Sequence, residues 1–386
     1  MTEKQKIRDA IFTIAPDWGI AYFRRIEKKK FQDSRRVAIA NDYPLTKEQK
    51  EQIDELFVSN YGEKIDYVWH KNYAAHAEKF DYRFIPELLF IPEFEAFQNQ
   101  NRSAVAMMSD KNMLPVIASS VGVKMPKTIV SCTSGLLRDG DNKIITSMQA
   151  SEIIKNKNEF FVKPTVDTCS GEGCMKVSEN CDFHLTRSSL VINGGGYEND
   201  FIIQELISCH ESISALYPFS VNTFRVGTYI WKGRIETMPL IIRIGQGGHY
   251  LDNAHAGGMF CAVFDNGRMG DIAMTEFNKK FLKHPDTQVK FSEHKIAFVD
   301  NVIAAAKKMH AAIPQVGLFN WDFTIDKEGE PVLIEANCNG CSVWLPQMAH
   351  GVGAFGDKTV EVLQWLRFMK QMKPKDRHKY AGGQMG

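Results

Sequence analysis

The sequence predicts an α+β protein, with a mainly helical N-terminal region followed by β-structure made of hairpins and glycine-rich loops. Three observations lead there. Residues 1–104 are rich in charge and aromatics and poor in glycine, with apolar residues at helical intervals and no glycine-rich turn after a strand. From Phe160 onward, short apolar runs alternate with glycine, proline and X-Gly pairs, the pattern of strands joined by tight turns. A length of 386 residues leaves room for two or three subdomains.

Composition excludes several classes. With 44% hydrophobic and 24% charged residues the chain is globular rather than disordered. Lys and Arg total 47 against 46 Asp and Glu, so no bulk field recruits nucleic acid or an anionic membrane, and any phosphate must be held by a local site. The start, MTEKQKIRDAIFTIAPDWG, carries charge throughout and lacks the apolar core of a secretory signal. No apolar run is long enough to span a bilayer. Eight scattered cysteines without an export signal fit reduced thiols, so a cytoplasmic protein is expected.

The elements follow in order. Thr46 and Gln49 have capping-box spacing and open a helix carrying Ile53, Leu56 and Phe57. Ser109 or Asp110 caps a short helix with Met113, Leu114 and Ile117, ending near Gly122. A strand is expected at 128–131 and a helix from Ser147 to Lys155. Phe160 to Pro164 reads as a buried strand stopped by proline, and Asp200 to Leu206 as another. Val221 to Ile230 and Arg234 to Ile244 flank the hairpin turn Trp231-Lys232-Gly233. Further hairpins turn at Asp265-Asn266-Gly267 and near Lys327-Glu328-Gly329. Between these two lies a helix over 293–310, with Ile296, Val299, Val302, Ile303 and Met309 on its apolar side. A last helix runs from Asp357 to Met369, and the polar tail from Gln371 is expected to fray.

The chemistry begins at the third hairpin. Asp322 stands at the start of one strand, and Glu335 and Asn337 share one face at the end of the next. Two carboxylates and an amide are hard oxygen donors suited to Mg²⁺. Any one of them alone is simply a polar strand end; the trio across a hairpin points to a metal. Lys163 leaves a buried strand before the small loop Ser170-Gly171-Glu172-Gly173-Cys174, which can set an ammonium and backbone N–H groups against phosphate. It is not a Walker A loop, because no Gly-Lys-Ser/Thr follows at the required spacing. Backbone groups of Gln204-Glu205-Leu206-Ile207, with the Glu205 side chain, can meet an adenine and its sugar. Cys338 and Cys341 form a C-x-x-C pair without the matching second pair of a zinc site. His249 and His255 stand in glycine-rich segments, as a general base, an acceptor contact or a structural histidine.

In combination these residues resemble the ATP-grasp superfamily. The order runs Asp110-Lys111, Lys163 with Gly171 and Gly173, Gln204-Glu205, then Asp322, Glu335 and Asn337. Asn222-Thr223-Phe224-Arg225, Arg243, Asn253 and Gly257-Gly258 resemble the pattern of glutamate-ligase and glutathione-synthetase-like members. Pro44-Leu45-Thr46 and Tyr67-Val68-Trp69-His70-Lys71 resemble the N-terminal region of the sugar-transfer-associated ATP-grasp subgroup, found near bacterial surface-polysaccharide genes.

The resemblance implies an ATP-grasp fold, two α/β subdomains clasping ATP behind a helical N-terminal region. The implied division is 1–104 helical, 105–372 ATP-grasp (small subdomain about 125–205, large about 206–372), and 373–386 tail. It further implies that Lys111 and Lys163 bind the ATP phosphates under a loop made flexible by Ser170, Gly171 and Gly173. Gln204, Glu205, Leu206 and Ile207 would hold adenine and Glu211 the ribose, with Asn253 beside the nucleotide. Asp322, Glu335 and Asn337 would hold two Mg²⁺ ions, with Mn²⁺ as the substitute. Arg225 and Arg243 would contact the transferring phosphoryl group or the carboxylate receiving it.

The activity implied is a carboxylate–amine ligase acting through an acylphosphate in cell-surface polysaccharide synthesis, joining a small carboxylate to an amine or sugar acceptor. The alternatives are an ATP-grasp kinase, a peptide-modifying ligase and a non-catalytic ATP-binding regulator. Two positions depart from related ligases, with Asn320 and Asn339 where some carry arginine. The N-terminal region also lacks the nucleotide-fold-like acceptor domain, and its aromatics (Tyr61, Tyr67, Trp69, Tyr73, Phe80, Tyr82) either cover the cleft mouth or glue helices to the core.

Overall fold

The computed structural model describes residues 3–165, 172–178, 182–186, 189–193, 195–254 and 257–385. The N-terminal region is helical, as expected: α1 (Glu3–Ile14), α2 (Pro16–Lys30), α3 (Ser34–Asn41), α4 (Lys47–Asn60) and α5 (Val68–Ala77). Thr46 and Gln49 close the expected capping box on α4, each side chain bonding the other's backbone N–H. Next, α6 (Glu87–Leu89), a π-helical turn (Phe90–Glu95) and α7 (Ala96–Gln98) form one continuous rod. Two further helices, α8 (Arg102–Met108) and α9 (Met113–Ser120), lead into the β-structure.

The first sheet contains β1 (Thr128–Thr133) and β2 (Leu136–Asp139). It is backed by α10 (Ser147–Lys155), which a second capping box starts at Thr146. It continues with β3 (Phe160–Pro164) and β4 (Met175–Val177). A separate three-stranded sheet, β5 (Phe183–Leu185), β6 (Ser189–Ile192) and β7 (Gly195–Glu198), precedes β8 (Phe201–Gln204). The five-stranded order is β2-β1-β8-β3-β4, so β8 lies at the centre beside the strand carrying Lys163.

After α11 (Glu211–Ser214) comes the larger sheet. Its strands are β9 (Thr223–Trp231), β10 (Arg234–Thr237), β11 (Ile241–Ile244), β12 (Met259–Val263), β13 (Met269–Met274) and β14 (Lys280–Phe281). Following α12 (Val299–Ala312), it is completed by β15 (Leu318–Ile325) and β16 (Pro331–Asn337). The order β14-β13-β12-β11-β9-β15-β16, with β10 also on β9, is antiparallel throughout. Two helices, α13 (Trp344–His350) and α14 (Thr359–Gln371), close the fold.

Five expectations shift. Neither Ser109 nor Asp110 caps α9, which follows Asn112 without a side-chain cap, while Ser109 ends α8. The strand read over Arg234–Ile244 is two strands, because Met238-Pro239-Leu240 interrupts it and proline has no N–H for the ladder. The helix read from 293 begins at Val299. Phe298 takes a left-handed backbone, and Ile296 is bonded instead to the β12–β13 turn through its N–H and Gly267 O at 2.8 Å. Asp322 lies inside β15 rather than at its start, since the strand already begins at Leu318. The tail does not fray: Pro374–Tyr380 forms a 3₁₀-helix, buried Arg377 caps Met369 O at 2.9 Å, and Trp365 Nε1 donates to Tyr380 O at 2.9 Å.

One face of the larger sheet packs on α8, α9 and α12. The other changes character along its strands. On β9, Tyr229 and Trp231 are covered by the N-terminal helices, α13 and α14, whereas Thr223 and Arg225 on the same face stand beyond that cover. Trp69, Tyr73 and Tyr61 belong to this shared core. They pack there, and among the described residues none before Lys111 lines the cleft described below.

Candidate active site

The cleft lies between the two sheets and is lined from both, with an open space of about 930 Å³. Its floor on the larger sheet is a row across three strands. Arg225 on β9 is opposite Asp322 on β15, and Asp322 is opposite Glu335 on β16. A β-bulge falls between Asp322 and Phe323, where the partner jumps from Glu335 to Leu333, leaving Ile334 as the extra residue. Beyond the bulge, Asn337 is opposite Asn320, two residues along on the same face. The expected hairpin thus brings the carboxylates together.

Both expected arginines reach Asp322. Arg225 donates from Nε at 2.5 Å and Nη2 at 3.1 Å, and Arg243 Nη2 lies 3.1 Å from the same carboxylate. Arg243, on β11, is held by Thr223 Oγ1 at 2.6 and 3.1 Å and by Asn253 Oδ1 at 2.7 Å. Asp252 accepts from the Thr223 N–H at 2.9 Å and from its hydroxyl, and lies 3.6 Å from Arg243. Burial works against the Arg243 charge but Asp252, Asp322 and Glu335 outweigh it, so the guanidinium is held above its ordinary range. Burial pushes the Asp252 carboxyl up, with Arg243 opposing. Gly258 is required here: a Cβ on it would meet Asp252 O at 2.3 Å.

Two lysines face this floor. Lys111 Nζ lies 3.5 Å from Glu335, and its backbone N–H bonds Thr165 O at the end of β3. Lys163 is 8% exposed, and its side chain makes no hydrogen bond or ion pair among the described residues. Burial holds its ammonium below the usual lysine range; Glu335 opposes this and Lys111 adds to it. An ammonium in a largely buried side chain with no bonded partner among the described residues suits an anion.

Opposite stands the Gln204–Ile207 segment. Gln204 Nε2 donates to Pro126 O at 3.1 Å, the Glu205 N–H to Lys127 O at 2.9 Å, and the Glu205 carboxylate takes Lys157 at 2.8 Å. Leu206 and Ile207 line the cleft with Phe161, which alternation puts on the same side of β3 as Lys163. At the mouth, Gly173 has φ +70°, and its carbonyl accepts from Tyr197 at 2.8 Å. Tyr250, from the larger sheet's side, reaches across to Cys174 O at 3.0 Å.

The placement of each expected residue is therefore uneven. Lys111, Lys163, Gln204, Glu205, Leu206, Ile207, Arg243, Asn253, Asp322 and Glu335 line one cleft. Arg225 is tied to it through Asp322, and Asn337 ends β16. Glu211 is exposed on α11 and does not line the cleft. Ser170, Gly171 and His255 lie outside the described residues, and His249 is exposed. Cys338 and Cys341 are buried in the turn after β16. There Glu95 accepts from the N–H groups of Gly340 (2.9 Å) and Cys341 (2.6 Å), while Asn99 Nδ2 donates to Cys338 O at 2.8 Å.

For a divalent cation the donor set fits. Asp322 and Glu335 supply hard oxygens, and the Asn337 side chain adds an amide oxygen two residues along the same strand; its Nδ2 donor is buried with no hydrogen-bond partner among the described residues. Among the described residues no three His, Cys, Asp or Glu side chains gather as a metal cluster; this set has two carboxylates and an amide. For a phosphate chain, Lys163 and Lys111 fit.

The sequence profile described as sugar-transfer associated ATP-grasp matches residues 91–362. No curated protein matches the chain. Among solved structures, the L-amino acid ligase from Bacillus licheniformis is 12% identical with a TM-score of 0.38, over 68% of this chain and 48% of that one. The VanG D-Ala:D-Ser ligase from Enterococcus faecalis is 12% identical with a TM-score of 0.39, over 68% and 63%. N5-carboxyaminoimidazole ribonucleotide synthetase from Thermotoga maritima is 9% identical with a TM-score of 0.34, over 61% and 43%. The chain thus spans about half the length of the first of these. Likeness this slight says nothing of substrate.

Proposed function

The chain belongs to the sugar-transfer associated ATP-grasp family, and from that premise we propose that it is an ATP- and Mg²⁺-dependent carboxylate–amine ligase. In this reading a small carboxylic or amino acid is joined, through an acylphosphate, to an amine or sugar acceptor used in surface-polysaccharide assembly. The observation that carries the reading is Lys163, a largely buried lysine whose ammonium has no bonded partner among the described residues, in one cleft with Asp322, Glu335 and Arg243.

Each side chain has a task in this proposal. Lys163 and Lys111 hold the phosphate chain. The Glu205 N–H is already taken by Lys127, so adenine is read by the remaining backbone groups through Ile207, against Phe161. Asp322, Glu335 and Asn337 hold Mg²⁺, which supplies charge neutralisation at the phosphates when bound. Arg225 and Arg243, both bonded to Asp322, would offer guanidinium donors to the acceptor carboxylate or the transferring phosphoryl group if Asp322 held a cation instead. Arg225 and Arg243 also supply the positive charge that other members place where this chain has Asn320 and Asn339. Asn320 here donates to Ser342 O at 3.1 Å, a structural use.

The test is ADP release with hydroxylamine trapping across amino acids and amino sugars. Acyl hydroxamate formed with ADP supports the ligase; ADP with a phosphorylated alcohol and no hydroxamate makes it a kinase. ATP binding without ADP release under any substrate would leave the regulator reading.

A further inference from the structure

Far from the cleft, α2 presents an outward stripe that the proposed reaction does not use. Trp18, Tyr22, Arg25 and Lys29 step along the helix at intervals of four, three and four residues, the spacing of one face. All four are exposed, Trp18 by 58% and Tyr22 by 42%, and these two rings stack at 5.3 Å. Lys28 stands exposed beside them.

The cations of this stripe are uncommitted. Arg25, Lys28 and Lys29 have no ion pair or hydrogen bond through their side chains among the described residues. Nearby acids are already used: Asp17 pairs with Arg377 at 2.5 Å, Glu27 with Lys30 at 2.7 Å, and Asp33 with Arg35 at 3.1 Å. Cations at a helix C-terminus suit its dipole, which accounts for Lys28 to Lys30. It does not account for two stacked aromatics one turn before them.

We propose that this face of α2 docks the protein onto an anionic lipid bilayer. Trp and Tyr have an apolar body and a polar tip suited to the headgroup boundary, and neighbouring Lys and Arg are drawn to anionic lipid. Charge complementarity selects this occupant. Residues 1–36 carry ten Lys and Arg against five Asp and Glu, in a chain whose totals are 47 and 46. The remainder is therefore net acidic, and an anionic surface attracts this end of the molecule and repels the rest. A second copy of the chain is disfavoured, because a two-fold contact would set these cations against themselves.

Cosedimentation of the full chain with vesicles tests this. Binding is expected to phosphatidylcholine mixed with phosphatidylglycerol, not to phosphatidylcholine alone, with release at about 0.5 M NaCl as screening shortens to a few ångströms. Joint substitution Arg25→Glu, Lys28→Glu and Lys29→Glu should weaken partitioning on the order of a hundredfold. Trp18→Ala with Tyr22→Ala should weaken it at least about tenfold, the value of a little over one buried apolar contact. The positions are exposed, so melting curves should match the parent; if the triple variant does not fold, Lys28→Gln with Lys29→Gln replaces it. Absence of binding to anionic vesicles, equal binding to neutral ones, or unchanged binding in either variant overturns the proposal. So does a dimer that Trp18→Ala dissolves, which would make a second copy the occupant.

Discussion

Two buried ionic networks invite comparison. In the N-terminal region, fully buried Glu93 accepts from Tyr61 at 2.7 and 2.9 Å and from Arg24, while Lys370 Nζ donates to Tyr61 at 2.8 Å and, with Arg24, engages Glu63. Every principal charge there is matched. In the cleft, Asp322 is bonded by two guanidinium groups, yet among the described residues neither the Lys163 ammonium nor the Asn337 amide nitrogen has a bonded partner. Both networks pay desolvation, but only the first recovers it within the chain. A matched network holds helices together; an unmatched one is completed by a ligand.

Substitutions can break that contrast, the largest effect first. Arg243→Ala removes the one guanidinium shared by Asp252 and Asp322 and leaves Asp252 buried and uncompensated. It should cost about 3–5 kcal/mol in urea unfolding and also end turnover. A variant of parental stability would mean that Asp252 is not dependent on Arg243. Glu335→Gln should lower ATP turnover about 10²- to 10³-fold with little change in melting, since Glu335 is partly exposed and its nearest cation, Lys111, lies 3.5 Å away. Undiminished turnover at limiting Mg²⁺ would remove Glu335 from the metal site.

Glu93→Gln is the converse case. It keeps a hydrogen bond to Tyr61 but loses the charge facing Arg24, and should cost about 1.5–3 kcal/mol while leaving turnover per folded molecule unchanged. A fall in turnover would connect the network to the cleft. The smallest effect concerns Glu87, whose carboxyl is pushed up to about 7 by burial, with Glu27 adding to it. Because the folded state binds this proton more tightly than the unfolded one, stability falls as pH rises from the ordinary glutamate range through about 7. Glu87→Gln should therefore unfold at higher temperature than the parent at pH 8, by on the order of 1–3 kcal/mol, and the gain should vanish near pH 4. A constant difference across this range would place the effect in packing rather than protonation.

What could be read in the sequence was mostly local. The capping boxes at Thr46 and Thr146 depend on residues three apart, and the Asp322–Glu335 pair depends on one hairpin. The features that escaped needed distant partners. Asp252 is important because β9 and β11 bring Thr223 beside Arg243, a register no spacing reveals. Phe161 was accessible, since it is two residues before Lys163 on the same strand. The helix start at Val299 moved because Ile296 found a partner in another hairpin, and the tail is ordered by Trp365 and Met369, which its own polar composition gives no hint of. The direct Arg225–Asp322 contact joins strands whose pairing is closed only after β10 to β14 and α12 have intervened.

The core shared by the first and last helices has a consequence for how the chain is made. Ile53, Phe57, Tyr61 and Trp69 bury in one core with Trp344, Leu363, Trp365 and Leu366, which are synthesised long after them. Contacts so remote in sequence close slowly, and until then the aromatic-rich first helices have nothing to cover them. These helices are thus expected to be open to chaperone capture until α14 has been made.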